Sequence, residues 1–193
     1  MSADLEKRIE GFSLPRSAEL PELDFYMDQV ISLMEKKLSI LSQDEEDKFI
    51  TPSMINNYVK LGLIPPPKKK RYTKEHLCYL FIICTLKSVI PIPAVSKIIK
   101  AETKTRSVYE LYDVFCEAYE NMLAQANTAA KENTSEEGER DAVLAKLALF
   151  MAINASATQL VATSALSAIM TEEPEEDKKE EKKEKKEKEK KKK

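Results

Sequence analysis

Glycine is scarce, with three in 193 residues. Little is left to supply the positive-φ positions of two-residue β-hairpins, or the glycine-rich loops that cradle nucleotide phosphates, so the composition points to a mainly α-helical chain. Histidine is scarcer still. With His76 alone, a two-imidazole site such as a His-Glu-x-x-His zinc helix has no ligands to be built from. Cys78, Cys84 and Cys116 form no C-x-x-C pair, and their odd number suits reduced thiols that pack as small apolar residues in a cytosolic protein. Cys78, two residues from His76 on one helix, diverges from it, and no third group orients a Cys–His nucleophile. These shortages argue against an enzyme and against a metal or other cofactor. The N-terminal stretch MSADLEKRIEGFSLPRS carries acids and no apolar core, unlike a signal or transit peptide, and the protein is expected to be cytoplasmic.

What remains is a chain with 42% apolar and 33% charged residues, enough for a core and a soluble surface. The net charge of -2 conceals a division. Residues 1–47 sum to -7, residues 48–106 to +10, residues 107–170 to -6 and residues 171–193 to +1. One module is strongly cationic inside an acidic chain. Lysine runs often only solvate a helix face, so charge alone leaves a nucleic-acid partner undecided.

Helical spacing of Leu23, Tyr26, Met27, Val30, Leu33, Met34, Leu38 and Leu41 predicts an amphipathic helix over 23–41, followed by a polar connector, SQDEED, at 42–47. Thr51-Pro52 then has the form of a helix start, and Gly62 stands where a C′ glycine is expected. The helix from Pro52 to about Leu61 puts Met54, Ile55, Tyr58, Val59 and Leu61 on apolar positions. Ser53, Asn56, Asn57 and Lys60 fall on another face, rich in donors. Pro65-Pro66-Pro67 stiffens the exit, and Lys68-Lys69-Lys70-Arg71-Tyr72 forms the densest cationic patch. Thr73 caps a helix carrying Leu77, Leu80, Phe81, Cys84 and Leu86, which stops before Pro91-Ile92-Pro93. A short helix follows at about 94–100. His76 reads as a surface or capping residue and is given no role.

Residues 51–99 resemble the DNA-binding module of MerR-type regulators. In that family a recognition helix ends in Tyr-x-x-x-Gly-Leu-x-Pro-Pro, matched by Tyr58, Gly62, Leu63, Pro65 and Pro66. A basic wing ending in Arg-x-Tyr and a capping hydroxyl follows, where Arg71, Tyr72 and Thr73 stand, and then a Leu-x-x-Leu-x-x-Ile helix, matched by Leu77, Leu80 and Ile83. The wing here has no glycine. Over residues 12–100 the chain is also similar to an uncharacterised Gram-positive bacterial family sharing the Tyr-Met-Asp-Gln-Val and Thr-Pro-Ser-Met-Ile-Asn-Asn-Tyr strings. The MerR resemblance implies a helix in the major groove of double-stranded DNA, with Ser53, Asn56, Asn57 and Lys60 facing bases or phosphates, and Lys68, Lys69, Lys70, Arg71 and Tyr72 clamping the backbone. Local hydrogen bonding of the asparagines is the plainer alternative. Tyr58 has two readings, a phosphate contact or a half-buried core tyrosine.

Ser107 and Glu110 have capping-box spacing and open a helix over 108–131. Another helix carries Val143 to Ile169, uncharged over 147–170 and apolar or small almost all round. Such a helix needs covering by its own core, by a second copy or by lipid. Asn154, Thr158, Gln159 and several serines favour protein packing over a membrane. The tail TEEPEEDKKEEKKEKKEKEKKKK cannot bury a core and reads as disordered.

The expected organisation is mainly α, with an arm at 1–22, a MerR-like winged helix-turn-helix domain at 23–106, a two-helix dimerisation or sensing region at 107–170, and the charged tail at 171–193. The expected function is that of a bacterial sequence-specific transcriptional regulator binding duplex DNA as a homodimer. The alternatives are a protein-interaction module that keeps the fold without reading DNA, and a membrane-tethered regulator. No residue pattern identifies a small-molecule effector.

Overall fold

A computed structural model describes residues 9–41, 49–133 and 140–171. The protein is mainly helical, with α1 at Met27–Leu38, α2 at Pro52–Lys60, α3 at Lys74–Leu86, α4 at Ile92–Glu102, α5 at Val108–Asn133 and α6 at Arg140–Thr171. Short 3-10 turns occupy Ser17–Glu19 and Ser39–Leu41. The connector at 42–47 and nearly all of the charged tail lie outside the described residues.

The core is built around α3. Its Leu77, Cys78, Leu80, Phe81, Ile82, Ile83 and Cys84 are all buried, so this helix is apolar on every side and needs partners on every side. α1 brings Val30, Met34 and Leu38, one turn apart on a single stripe; α2 brings Ile55 and Tyr58; α4 brings Val95 and Ile99. α5 supplies Val108, Leu111, Tyr112 and Cys116, with the Tyr112 ring stacked on Phe81 at 5.6 Å. Each such large apolar side chain contributes about 1.5–3 kcal/mol on burial. The first half of α5 therefore belongs to the same core as α3, across the boundary expected at residue 106. The three cysteines are buried too, and burial pushes the Cys78 and Cys84 thiols up to about 12.

The N-terminal arm is also docked. Leu14, Ser17 and Leu20 are buried, the Ser17 N–H and hydroxyl both donate to Asp113 at 2.6 Å, and Arg16 donates to both oxygens of Glu120 at 3.1 and 2.6 Å. Phe12 meets Tyr119 edge-on at 6.1 Å.

Helix ends follow local chemistry. The Thr51 hydroxyl accepts from Met54 N at 3.2 Å, with Pro52 at the first helical position. At the other end of α2, Gly62 adopts φ 67°, Gly62 N donates to Val59 O and Leu63 N to Tyr58 O, the paired bonds of a Schellman cap with Leu63 tucked beneath. α5 opens on the expected box, Ser107 N donating to Glu110 and Glu110 N to the Ser107 hydroxyl. α1 begins four residues later than its apolar spacing predicts, because Leu23 lies in a bend, Phe25 pairs with Tyr72 and Tyr26 is extended.

No strand is present among the described residues. In the place of the expected wing, two isolated antiparallel bridges join Lys68 to Arg71 and Phe25 to Tyr72.

By packing, the chain divides between Ala155 and Ser156. The first unit ends with Leu147 buried and Leu149, Phe150 and Ile153 exposed. In the second, Leu160 and Val161 are exposed, Leu166 is buried, and the Thr163, Ser164 and Ser167 hydroxyls donate to carbonyls of their own helix. Asp141–Ala168 is long and apolar enough to cross a bilayer by length and composition alone.

Candidate nucleic-acid interface

α2 is anchored to the core by Ile55 and Tyr58, and its opposite side is therefore fixed outward. Ser53, Asn56, Asn57 and Lys60 occupy positions i, i+3, i+4 and i+7, are all exposed, and with Met54 line an open depression of about 540 Å³. Among the described residues the two asparagine side chains make no hydrogen bond and Lys60 makes no ion pair, so the face is not consumed by local contacts.

After the Schellman cap, Leu63 and Ile64 are buried and the three prolines carry the chain outward to Lys68. Arg71 N donates to Lys68 O at 2.9 Å, and Lys69 and Lys70 have φ 51° and 62°. Two consecutive left-handed residues inside an i to i+3 bond make a type I′ turn, the geometry ordinarily filled by Asn-Gly. Its tip, Lys68 to Lys70, is exposed. Phe25 and Tyr72 exchange N–H···O bonds of 2.8 Å each, tying the base of the turn to the segment ahead of α1. The Arg71 guanidinium lies 4.1 Å from the centroid of the Tyr26 ring, and its Nη1 donates to Asp24 O at 3.5 Å.

A second open cavity, of about 530 Å³, adjoins the tip; Tyr26, Met27, Asp28, Asn56, Pro67, Lys70 and Tyr72 line it. Asn56 and Lys70 share this cavity, so one side of the molecule presents both the polar face of α2 and the lysine turn.

Two expected contact residues are withdrawn. Tyr58 is 4% exposed and Tyr72 2% exposed, both facing the core. Burial raises the Tyr58 hydroxyl to about 12 and raises that of Tyr72 above its ordinary value. The alternation of the α2 apolar positions already allowed for a core Tyr58; Tyr72 was obscured by the cations beside it. Arg71 is half-buried and engaged with Tyr26 rather than projecting with the lysines. Phe25, Tyr26 and Asp28 are not legible in the sequence as part of this surface, since they lie forty or more residues ahead of the turn and no local spacing links them. Its spacing places Tyr26 on an apolar helix stripe, whereas it is the N-cap of α1 and 47% exposed.

His76 is buried, not a surface residue, and it does cap α3: its Nδ1 accepts from Thr73 N at 3.0 Å. Among the described residues no group of three or more His, Cys, Asp or Glu side chains is placed to hold a metal ion.

The geometry defines a compact helical module with one polar and cationic exposed side. Residues 15–121, more than half of the chain, match the family described as Domain of unknown function (DUF1836), and the protein belongs to that family. No curated protein and no solved structure matches it. The resemblance to MerR-type regulators is corrected accordingly. The matching family is an uncharacterised one, no helix-turn-helix or MerR family matches, and the described residues contain no strands from which a winged motif could be built.

Proposed function

We propose that the protein is a DNA-binding transcriptional regulator that applies the α2 face and the lysine turn to double-stranded DNA. The observation that carries this reading is the cavity shared by Asn56 and Lys70, which joins exposed amides able to pair with base edges to exposed cations able to neutralise phosphates. A chain of net charge -2 that gathers +10 between residues 48 and 106 carries in that segment the charge suited to holding a polyanion. Asn56 and Asn57 carry sequence preference in this reading; Lys60, Lys68, Lys69 and Lys70 carry affinity.

A single surface of this size binds weakly, and two-fold sites reward two copies. The exposed Leu149, Phe150 and Ile153 at the end of the first unit supply apolar surface for a second copy, which supports a homodimer.

The test is binding of the full-length chain to a fluorescent random-sequence duplex across a salt series, followed by selection of bound fragments from genomic DNA. A log–log salt slope of about -0.9 per neutralised phosphate is expected, together with enrichment of a common motif. Absence of duplex binding at low salt would refute the reading. Binding without enrichment would remove sequence specificity and leave only the electrostatic part.

A further inference from the structure

The lysine turn is held in place from outside its own segment. Its base is paired to Phe25 through two 2.8 Å backbone bonds, and its one cation that does not project, Arg71, is stacked on Tyr26 at 4.1 Å while donating to Asp24 O. The sequence from Asp24 to Tyr26 thus grips the turn by backbone, ring and carbonyl together. This grip lies at the N-terminus of α1, whose Val30, Met34 and Leu38 are fixed in the core, so the turn is referenced to the same rigid body as α2. Tyr26 and Lys70 also line one cavity with Asn56, which puts the grip directly beside the proposed contact surface.

Tyr26 is 47% exposed, so its ring is held at the surface rather than in the core, and the guanidinium over it has its face against the ring and one N–H directed at Asp24 O. A guanidinium on an aromatic face is attracted by the ring quadrupole and, being planar, stacks where a lysine ammonium would not.

We propose that Tyr26 is a positioning residue for the Lys68–Lys70 tip, acting through its stack on Arg71, and that Arg71 serves to aim the turn rather than to neutralise a phosphate. The proposal rests on the duplex-binding reading above. If it holds, removing the ring releases the tip, and Lys69 and Lys70 reach their phosphates in only a fraction of the bound states. The salt slope then becomes shallower although no cation has been deleted.

The experiment compares the full-length wild type with Tyr26→Ala, Tyr26→Phe, Arg71→Lys and a Lys69→Ala/Lys70→Ala double variant on the same random-sequence duplex, with thermal melts of each. The expected result is that Tyr26→Ala and Arg71→Lys, both of unchanged net charge, lose about tenfold in affinity with a slope shallower by one to two phosphates, approaching the double lysine variant. Tyr26→Phe, which keeps the ring, is expected to bind as the wild type does. A merely structural role for Tyr26 moves the melting temperature and not the slope. Wild-type slope in Tyr26→Ala or in Arg71→Lys overturns the positioning role, while a loss confined to the double lysine variant leaves duplex binding intact. A wild type that does not bind duplex at all removes the underlying reading as well. Should Tyr26→Ala melt below the assay temperature, Arg71→Lys carries the same comparison.

Discussion

His76 Nδ1 accepts a hydrogen bond from the backbone N–H of Thr73 at 3.0 Å and lies 2.8 Å from the Thr73 hydroxyl oxygen. The pair closes the N-terminus of α3, the central helix, with an imidazole in the role usually played by Glu or Gln. An Nδ1 that accepts an N–H carries no proton, so this cap requires the neutral ring. Burial pushes the His76 pKa below its ordinary value, outweighing the opposing pull of Glu75 and Asp24.

Stability is therefore expected to fall on acidification. The neutral folded form keeps its full advantage above the unfolded histidine value of about 6.5. Below it the unfolded chain takes up a proton that the folded chain refuses, and stability drops by up to about 1.4 kcal/mol per pH unit until the lower folded value is passed. His76→Gln retains an acceptor for Thr73 N and removes the titration. Urea unfolding between pH 7 and 5.5 should show a decline in the wild type that is absent in this variant.

Asp113 sets a second test, in the docking of the arm. Its two oxygens accept the Ser17 N–H and hydroxyl, each at 2.6 Å, and Ser17 is buried. Asp113→Ala leaves both donors without partners and is expected to cost about 1–3 kcal/mol. Ser17→Ala deletes only the hydroxyl and should cost less. Chemical denaturation gives both values, and the reverse order would mean that the arm is held elsewhere. The neighbouring Glu120 feels burial pushing its carboxyl up, yet the bonds from Arg16 and Leu14 prevail and hold it below the usual carboxylate range.

The helices were legible wherever one segment contains both the signal and its cause. Thr51-Pro52 and Gly62 bracket α2 because cap and breaker act within a turn of the residues they affect. The Ser107–Glu110 box works the same way. The α2 face was legible for a related reason, since Ser53, Asn56, Asn57 and Lys60 repeat at helical spacing. What escaped depends on partners distant in the chain. Nothing near Tyr26 announces Arg71, and nothing near Ser17 announces Asp113. Tyr72 sits in a run of cations that conceals its buried ring. The resemblance to MerR-type regulators implies a wing with a glycine, which this segment lacks. Here the corresponding turn is a single tight reversal, closed by lysines and sheltered by two isolated bridges.

Asp28 predicts a gain rather than a loss. It is exposed in the first turn of α1 and lines the cavity with Asn56 and Lys70, where its carboxylate repels a duplex seated on that side. Asp28→Asn is expected to tighten duplex binding by about three- to tenfold at low ionic strength, with the gain fading as salt shortens the Debye length towards ~8 Å. The same change removes a favourable charge from a helix N-terminus and should lower stability by about 0.3–1 kcal/mol. Anisotropy titrations in two salt concentrations, set beside a thermal melt, separate the two effects. Unaltered affinity at low salt would turn the duplex away from this cavity.

The lysine turn itself opposes stability to charge. Lys69 and Lys70 hold φ 51° and 62°, a conformation that costs a residue with a Cβ about 1–2 kcal/mol and that Asn-Gly accepts readily. Both side chains are exposed and form no part of the core, so no packing gain offsets that cost. Lys69→Asn/Lys70→Gly should therefore raise the melting temperature, with a combined gain of about 1–3 kcal/mol. If the turn is the cationic clamp of the proposed interface, the same variant should lose duplex affinity at every sequence and shed close to two phosphates' worth of salt slope. Lys69→Asn alone, the single change at the first position, should do about half of each. A variant that becomes more stable and binds duplex undiminished would show that the strain serves some purpose other than DNA, because two lysines would then be held in an unfavourable conformation without contributing to the contact.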